Sequence, residues 1–402
     1  MKQVGTGRVK GINVDPVTAP DFSPVDLSPV LSLLEAQRGD DLHAGAQIYV
    51  SRHGEVLLDT AIGESSDGRA LRTDDLMLWY SSGKPWTTVA VLQLWEQGRL
   101  GLDDRVGDHL EGWGDGKERA TIRHVLTHTG GFPMFADPTY DTDLTFDQTL
   151  AATVATPATW EPGTLAGYHA ASGWRVLGGI VEAIDGRRID RYLREEVAEP
   201  LGLTDCHLGL DADQQRAYGE RIVPVHWTGH RLPKMIDGAL QMVPYEIDKI
   251  HNEPWHIAKV EPGGGMRGPA NQLGRFYESL LGHGPSLLDP STVELMGAVH
   301  RWGVKDRTFG IKIPWGLGVQ VDFTGGTGRR AFGHGGMASS RGLADPEVGL
   351  VMVMVSNGLA GLQENEQRNL DITDAVYSAL GEEIAPMRRS AAKSREALGF
   401  SS

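Results

Sequence analysis

The segment Leu350-Val-Met-Val-Met-Val-Ser356 constrains the fold more than any other. Odd and even positions are both apolar, so as a strand it buries both faces and must lie inside a sheet covered on two sides. Leu317 to Phe323, Arg330 to Gly333 and Gly342 to Ala344 are further strand signals. The turn Asp345-Pro346-Glu347-Val348-Gly349 joins the last of these to the apolar strand as a hairpin. Near the N-terminus, Ala46 to Val50 and Val56 to Ile62 flank Ser51-Arg52-His53-Gly54-Glu55, a second hairpin signature. Helix patterns dominate between these ends. Ser81 to Gln97 is apolar nearly all round, which predicts a buried helix. Ala171 to Ile184 carries Trp174, Leu177, Ile180, Val181 and Ile184 at helical spacing and stops at Asp185-Gly186. Asn271 to Leu281 and Gln363 to Leu380 read as amphipathic helices. The pattern predicts an α/β (α+β) chain, with an antiparallel sheet flanked by helices plus a mainly helical lobe. Residues 1–75 and 305–402 would build the sheet domain and 76–304 the helical one, with a site in the cleft between them. Residues 205–260 carry the weakest patterns and read as a loop region that shapes specificity.

Bulk properties exclude several partners. A formal net charge of −15 repels phosphate backbones and argues against nucleic acid. The one cysteine, Cys206, allows neither an intramolecular disulfide nor a cysteine zinc cluster and fits a reducing compartment. The N-terminus has no apolar signal-peptide core, and no apolar run reaches the ~18 residues of a membrane span. The expectation is a cytoplasmic protein acting on a small molecule, without a cofactor or a metal. The sequence carries no indication of oligomeric state.

Ser81-Ser82-Gly83-Lys84 is the first motif with chemistry in it. A serine hydroxyl is a weak nucleophile until a base takes its proton. Residues three apart on a helix share a face, so Ser81 and Lys84 point the same way and Ser82 points elsewhere. Pro85 suits the first helical turn, and the helix N-terminus adds positive potential beside the nucleophile. Burial beside Trp86 and Val89 would lower the lysine pKa and make a neutral amine base feasible. The spacing alone is weak: Ser390-Ala391-Ala392-Lys393 repeats it in a polar, basic tail with no apolar helix behind it. A second element, Gly167-Tyr168-His169-Ala170, puts a phenol at a helix start, where it can relay a proton. The third, Phe332-Gly333-His334-Gly335-Gly336-Met337, is a strand edge whose small residues let a substrate approach backbone N–H groups. His128-Thr129-Gly130 repeats the His-x-Gly pattern.

Taken in order, these elements resemble the serine β-lactamase and penicillin-binding-protein family, which includes class C β-lactamases, D-alanyl-D-alanine carboxypeptidases and family VIII esterases. Gly98 to Val106, Thr121 to Pro133, Glu199 to Asp205 and Gly342 to Pro346 fit the same pattern, and the likeness runs from about Ala44 to Ala379. The resemblance implies a β-lactamase/transpeptidase-like fold and a serine hydrolase that works through an acyl-enzyme. Ser81 would be the nucleophile, Lys84 its base and Tyr168 a base or proton relay. The N–H groups of Ser81 and Met337 would form the oxyanion hole, with His334, Gly335, Gly336 and Ala170 lining the substrate. Two departures narrow the activity. Ala170 stands where β-lactamases and peptidases carry asparagine, and no Lys-Thr-Gly occurs. The cation for a substrate carboxylate is reduced to His334, charged part of the time near neutral pH. The resemblance therefore leans to a carboxylesterase or transacylase, with a β-lactamase or D-amino-acid peptidase as the alternative and an inactive binding protein on the same fold as the alternative from another class. Two rivals read from the residues are a zinc site on His124 and His128 and a phosphate loop at Pro262–Gly265 or Gly325–Gly328. Neither completes a known metal or phosphate motif.

Overall fold

The computed structural model describes residues 25–382, apart from 66–67, 134–141, 229–230, 237–238, 245–246, 323–326 and 338. The strip Leu350–Ser356 (β6) lies inside a six-stranded antiparallel sheet, as its two apolar faces require. The chain enters through helix α1 (Ser28–Gly39) and the hairpin β1 (Gly45–Arg52) and β2 (Glu55–Gly63). It then runs through α2 (Lys84–Glu96), α3 (Ser172–Asp185) and α4 (Ala270–Leu280). It returns to the sheet as β3 (Gln320–Val321), β4 (Phe332–Gly336), β5 (Ser340–Asp345) and β6, and ends in α5 (Leu362–Ala379). The sheet order is β2-β1-β6-β5-β4-β3, with Tyr49 opposite Val353, Gly342 opposite Val353 on the other side, and His334 opposite Gly342.

The alternation along β6 divides the core. Leu350, Met352 and Met354 face α1 and α5 and pack with Val30, Leu34, Ile372 and Val376. Val351, Val353 and Val355 face the other way and join Leu273, Phe276 and Tyr277 of α4 and the large cluster around α2 and α3. Each fully buried aliphatic side chain stabilises the fold by roughly 1.5–3 kcal/mol, which is why a strand this apolar cannot sit at an edge.

Local differences from the pattern reading are informative. The buried helix starts at Lys84 rather than Ser81, because Tyr80–Gly83 forms a tight 3₁₀ turn ahead of it. The strand signal Leu317 to Phe323 shortens to Gln320–Val321 among the described residues. The strand signal Arg330 to Gly333 is displaced to Phe332–Gly336, where three glycines hide it from propensity. The described residues of 205–260 are not all loop: they hold His207–Leu208, Ala212–Tyr218, the hairpin Arg231–Ile236 with Ala239–Pro244, Ile247–His251 and Pro254–Ala258. These elements are too short to show a hydrophobic period. Ser390-Lys393 and Gly325-Gly326 lie outside the described residues. Among the described residues, no helix is long and apolar enough to cross a membrane.

Candidate active site

The turn before α2 presents Ser81 under strain. Tyr80, the residue ahead of it, has φ +49°, a left-handed conformation that disfavours any side chain by roughly 1–3 kcal/mol. Its ring is buried with Leu78, Val225 and Leu359, and its hydroxyl is bonded to His251 Nδ1 at 2.8 Å, which holds the conformation. Strand β4 is fastened to the same turn. Ser82 Oγ donates to the His334 carbonyl at 3.0 Å and lies 2.9 Å from Ser340 Oγ, which donates to the Trp79 carbonyl at 2.6 Å. A Cβ at Gly336 would stand 2.4 Å from that Trp79 carbonyl and 3.1 Å from Tyr80 Cβ, so only glycine allows this approach. Ser82 and Ser340 are therefore structural staples that spacing alone does not reveal; Ser82 does point away from Ser81, but to a purpose.

Lys84 Nζ stands 3.0 Å from Ser81 Oγ. It also donates to the Ala170 carbonyl at 2.6 Å and to the Gly263 carbonyl. Tyr168 Oη donates to Ser81 Oγ from the other side, at 2.8 Å. Ser81, Lys84 and Tyr168 are thus brought together, although Lys84 and Tyr168 lie 84 positions apart in the chain. Lys84 has no exposed surface, and burial, opposed by Glu261, lowers its pKa to about 7. The rings beside its amine are those of Trp174 and Tyr168. Trp86 stacks on Phe276 at 4.9 Å on the far side of α2, while Lys84 Nζ lies 5.0 Å from the Trp174 ring and 5.3 Å from the Tyr168 ring. Trp174 also donates to the Lys84 carbonyl at 2.9 Å.

Two residues carry more than their sequence pattern shows. Ala170, where the resemblance expects an asparagine side chain, contributes its backbone oxygen instead. The glycine-rich stretch Pro262–Gly265 is a turn, as read, but it supplies the Gly263 carbonyl to Lys84. A run of three glycines marks a place of close backbone approach; what approaches it depends on the fold.

Tyr168 is 7% exposed, and its phenol is pushed above its usual range by burial and by Asp306, against the Ser81 bond, so it stays protonated. Its backbone N–H donates to buried Asp306 Oδ1 at 3.3 Å. His128 packs against it with its ring tilted, 4.6 Å between centroids, and accepts the His169 backbone N–H at Nδ1, 3.0 Å away. His124 takes the Thr121 N–H at Nδ1 instead, so the two histidines have separate tasks. Phe309, Ile311, Ile313 and Trp315 form an apolar wall beside Tyr168.

His334 corrects an expectation. It is 4% exposed, its Nδ1 pairs with the Gly335 carbonyl at 2.7 Å, and burial, with Lys84 second, lowers its pKa to about 3. The imidazole is neutral near pH 7 and supplies no cation for a substrate carboxylate. Gly335, Gly336 and Met337 lie at the end of β4, brought against the Ser81 turn by the Ser82 and Ser340 staples.

The arrangement can take a proton from a hydroxyl on one side and offer one on the other. Comparison with known proteins bears on what it acts upon. The family model described as Beta-lactamase matches residues 32–377. Esterase EstB of Burkholderia gladioli is 28% identical over 375 residues, 83% of this chain and 91% of that protein. A crystal structure of a penicillin-binding-protein homologue from Caulobacter crescentus superposes with a TM-score of 0.72 at 26% identity, over 88% of this chain and 97% of that one. A family VIII carboxylesterase structure gives a TM-score of 0.74 at 24% identity over 88% and 97% of the two chains, a likeness of fold.

Proposed function

We propose, for a chain that belongs to the Beta-lactamase family, that it is a serine hydrolase cleaving neutral carboxylic esters, or transferring their acyl groups, through an acyl-enzyme on Ser81. The observation that carries the reading is the set of contacts at Lys84 Nζ. A neutral amine has two N–H donors and one lone pair. With the Ala170 and Gly263 carbonyls taking the two donors, the lone pair is left for the Ser81 hydroxyl 3.0 Å away. A base poised near pH 7 is what such a step needs.

In the proposed cycle, the Ser81 proton passes to Lys84 as Oγ attacks the ester carbonyl. The oxyanion is received by the N–H groups of Ser81 and Met337, worth roughly 2.7–4 kcal/mol per donor in comparable sites. The buried, protonated Tyr168 donates to the departing alkoxide. Water or another alcohol then takes the acyl group by the reverse path. Ser81, Lys84, Tyr168 and Gly263 lie within residues 76–304 and Gly335 to Met337 within 305–402, which supports the cleft between those two lobes as the seat of the reaction. The preference for neutral esters follows from the missing cation: His334 is buried and uncharged, and the wall of Phe309, Ile311 and Ile313 is apolar. The relationship to esterase EstB supports the same activity class. The net charge of −15 and lone Cys206 fit a cytoplasmic enzyme with no nucleic-acid partner.

The test is to offer short-chain p-nitrophenyl esters and a chromogenic cephalosporin side by side to the protein and to Ser81→Ala. Ester turnover that vanishes in the variant supports the reading. Fast cephalosporin cleavage without ester cleavage replaces it with the β-lactamase alternative, and a protein in which no serine is labelled by a reactive phosphonate is an inactive relative.

A further inference from the structure

Glu261 does not touch Ser81, yet what holds the Gly263 carbonyl runs through it. Its Oε1 accepts the Gly263 N–H at 3.3 Å, and its backbone oxygen accepts the N–H of Gly264 at 3.0 Å and of Gly265 at 2.7 Å. Successive N–H groups of a flexible turn thus converge on one residue. Its Oε2 in turn accepts Arg175 Nε–H at 2.7 Å and lies in ion-pair contact with Nη2 at 2.6 Å. Arg175 has no exposed surface and Glu261 is 4% exposed. The carboxylate is thus held through both oxygens, Oε1 by the Gly263 N–H and Oε2 by the charged Arg175 guanidinium, which limits its reorientation. Arg175 projects from α3 beside Trp174, which is itself bonded to the Lys84 carbonyl. Packing closes the remaining freedom: a Cβ at position 263 would lie 2.6 Å from the Ala170 oxygen and 2.9 Å from Ala171 Cα. Gly263 is therefore seated directly against the backbone that carries the other carbonyl gripping Lys84.

We propose that Glu261, locked by Arg175, is a positioning residue for Lys84: it fixes the Gly263 carbonyl on one Nζ proton and so turns the amine lone pair toward Ser81. The proposal rests on Lys84 being the base. It also sets the electrostatics there. Lys84 faces Tyr168, His128, His334 from β4, and the Arg175–Glu261 pair. Tyr168 is protonated, and burial leaves both histidines neutral. Glu261 is the anion that reaches the amine, and it opposes the lowering caused by burial.

The experiment compares the full chain with Glu261→Gln, Glu261→Ala and Arg175→Lys. Acylation rate and KM are measured per active site titrated with a serine-directed phosphonate, across pH, with Tm recorded beside them. Glu261→Gln keeps an oxygen for the Gly263 N–H but removes the charge. It should shift the acid limb of the rate profile to lower pH, with KM unchanged and the plateau reduced several-fold. Glu261→Ala, which frees the turn, should cost ~10²-fold in acylation, the scale of an ångström misplacement. Arg175→Lys should fall between them, and it carries the test with Glu261→Gln if the alanine variant does not fold. Unchanged acylation per titrated site and an unmoved acid limb in Glu261→Gln would reduce the pair to a structural bridge, whatever happens to Tm. Lys84→Ala separates this failure from failure of the site reading: an active Lys84→Ala sinks both, whereas an inactive one with normal Glu261→Gln sinks this proposal alone.

Discussion

Arg175–Glu261 and Arg301–Asp306 are two buried arginine–carboxylate pairs, one bonded to the turn that holds Lys84 and the other to the backbone of Tyr168. In each, a buried guanidinium holds a buried carboxylate, at 2.6 Å and 3.2 Å respectively. Each carboxylate also accepts backbone N–H, one group at Glu261 and three at Asp306, from a segment that carries a site group. Glu261 anchors Gly263 and through it Lys84. Asp306 Oδ1 anchors Tyr168 at 3.3 Å, Thr308 at 2.9 Å and Phe309 at 3.4 Å. Their electrostatic effects on the neighbouring group differ in consequence. Glu261 favours the charged ammonium and so works against burial, which lowers Lys84 to about 7. Asp306 disfavours the phenolate and works with burial, which keeps Tyr168 protonated. The anion beside the lysine tempers a base, whereas the anion beside the tyrosine secures an acid. Buried ion pairs contribute little net stability against apolar replacements. Their use here is geometric: they fasten irregular backbone where no helix or strand could.

Removing the nucleophile that both sides serve should have the largest effect: Ser81→Ala should abolish ester turnover with Tm unchanged, measured by p-nitrophenyl ester hydrolysis and thermal melting. On the lysine side, Lys84→Ala should lower kcat by ~10²–10⁴-fold, the range for general-base help. A smaller loss than that of Tyr168→Phe would invert the assignment of base and acid. On the tyrosine side, Tyr168→Phe should hurt alkyl esters more than p-nitrophenyl esters, because p-nitrophenolate leaves without a proton. Equal losses on the two substrates would remove Tyr168 from the protonation step. Asp306→Ala breaks the second pair and should cost ~3–5 kcal/mol in a denaturant titration, with a modest fall in kcat for the folded fraction. The pH profile sharpens the contrast further. Lys84 acts only when deprotonated, so kcat should rise as pH increases through about 7 and stay level above it. A limb that falls there instead would mean that the ammonium form is the active one. Ser390→Ala should change nothing, since its serine–lysine spacing stands in a polar, basic stretch of sequence.

How much was legible beforehand differs between the two sides as well. Ser81 and Lys84 lie three apart on one turn, so local geometry alone joins them. Tyr168 could be named through its place in an ordered set of motifs. Gly263, Glu261 and Asp306 could not, because a backbone carbonyl and its anchors leave no side-chain signature at the position where they act. His334 is legible from its motif but its charge is not: the letters His-Gly-Gly say nothing of the Tyr168 and Trp315 rings packed beside it.

By itself, the sequence determined the two-faced strand Leu350–Ser356, the terminal hairpins, the buried helix behind Ser81 and the serine–lysine pair, all of which follow from the local period of apolar residues and from spacing within a turn. Tertiary structure alone decided which carbonyls grip Lys84, which rings bury it and which carboxylates hold the loops in place. The contacts of Lys84 with Ala170 and Gly263, of Arg175 with Glu261 and of Asp306 with Tyr168 join residues 86 to 179 positions apart, and pKa values and close backbone approaches exist only after distant segments have excluded water from between them.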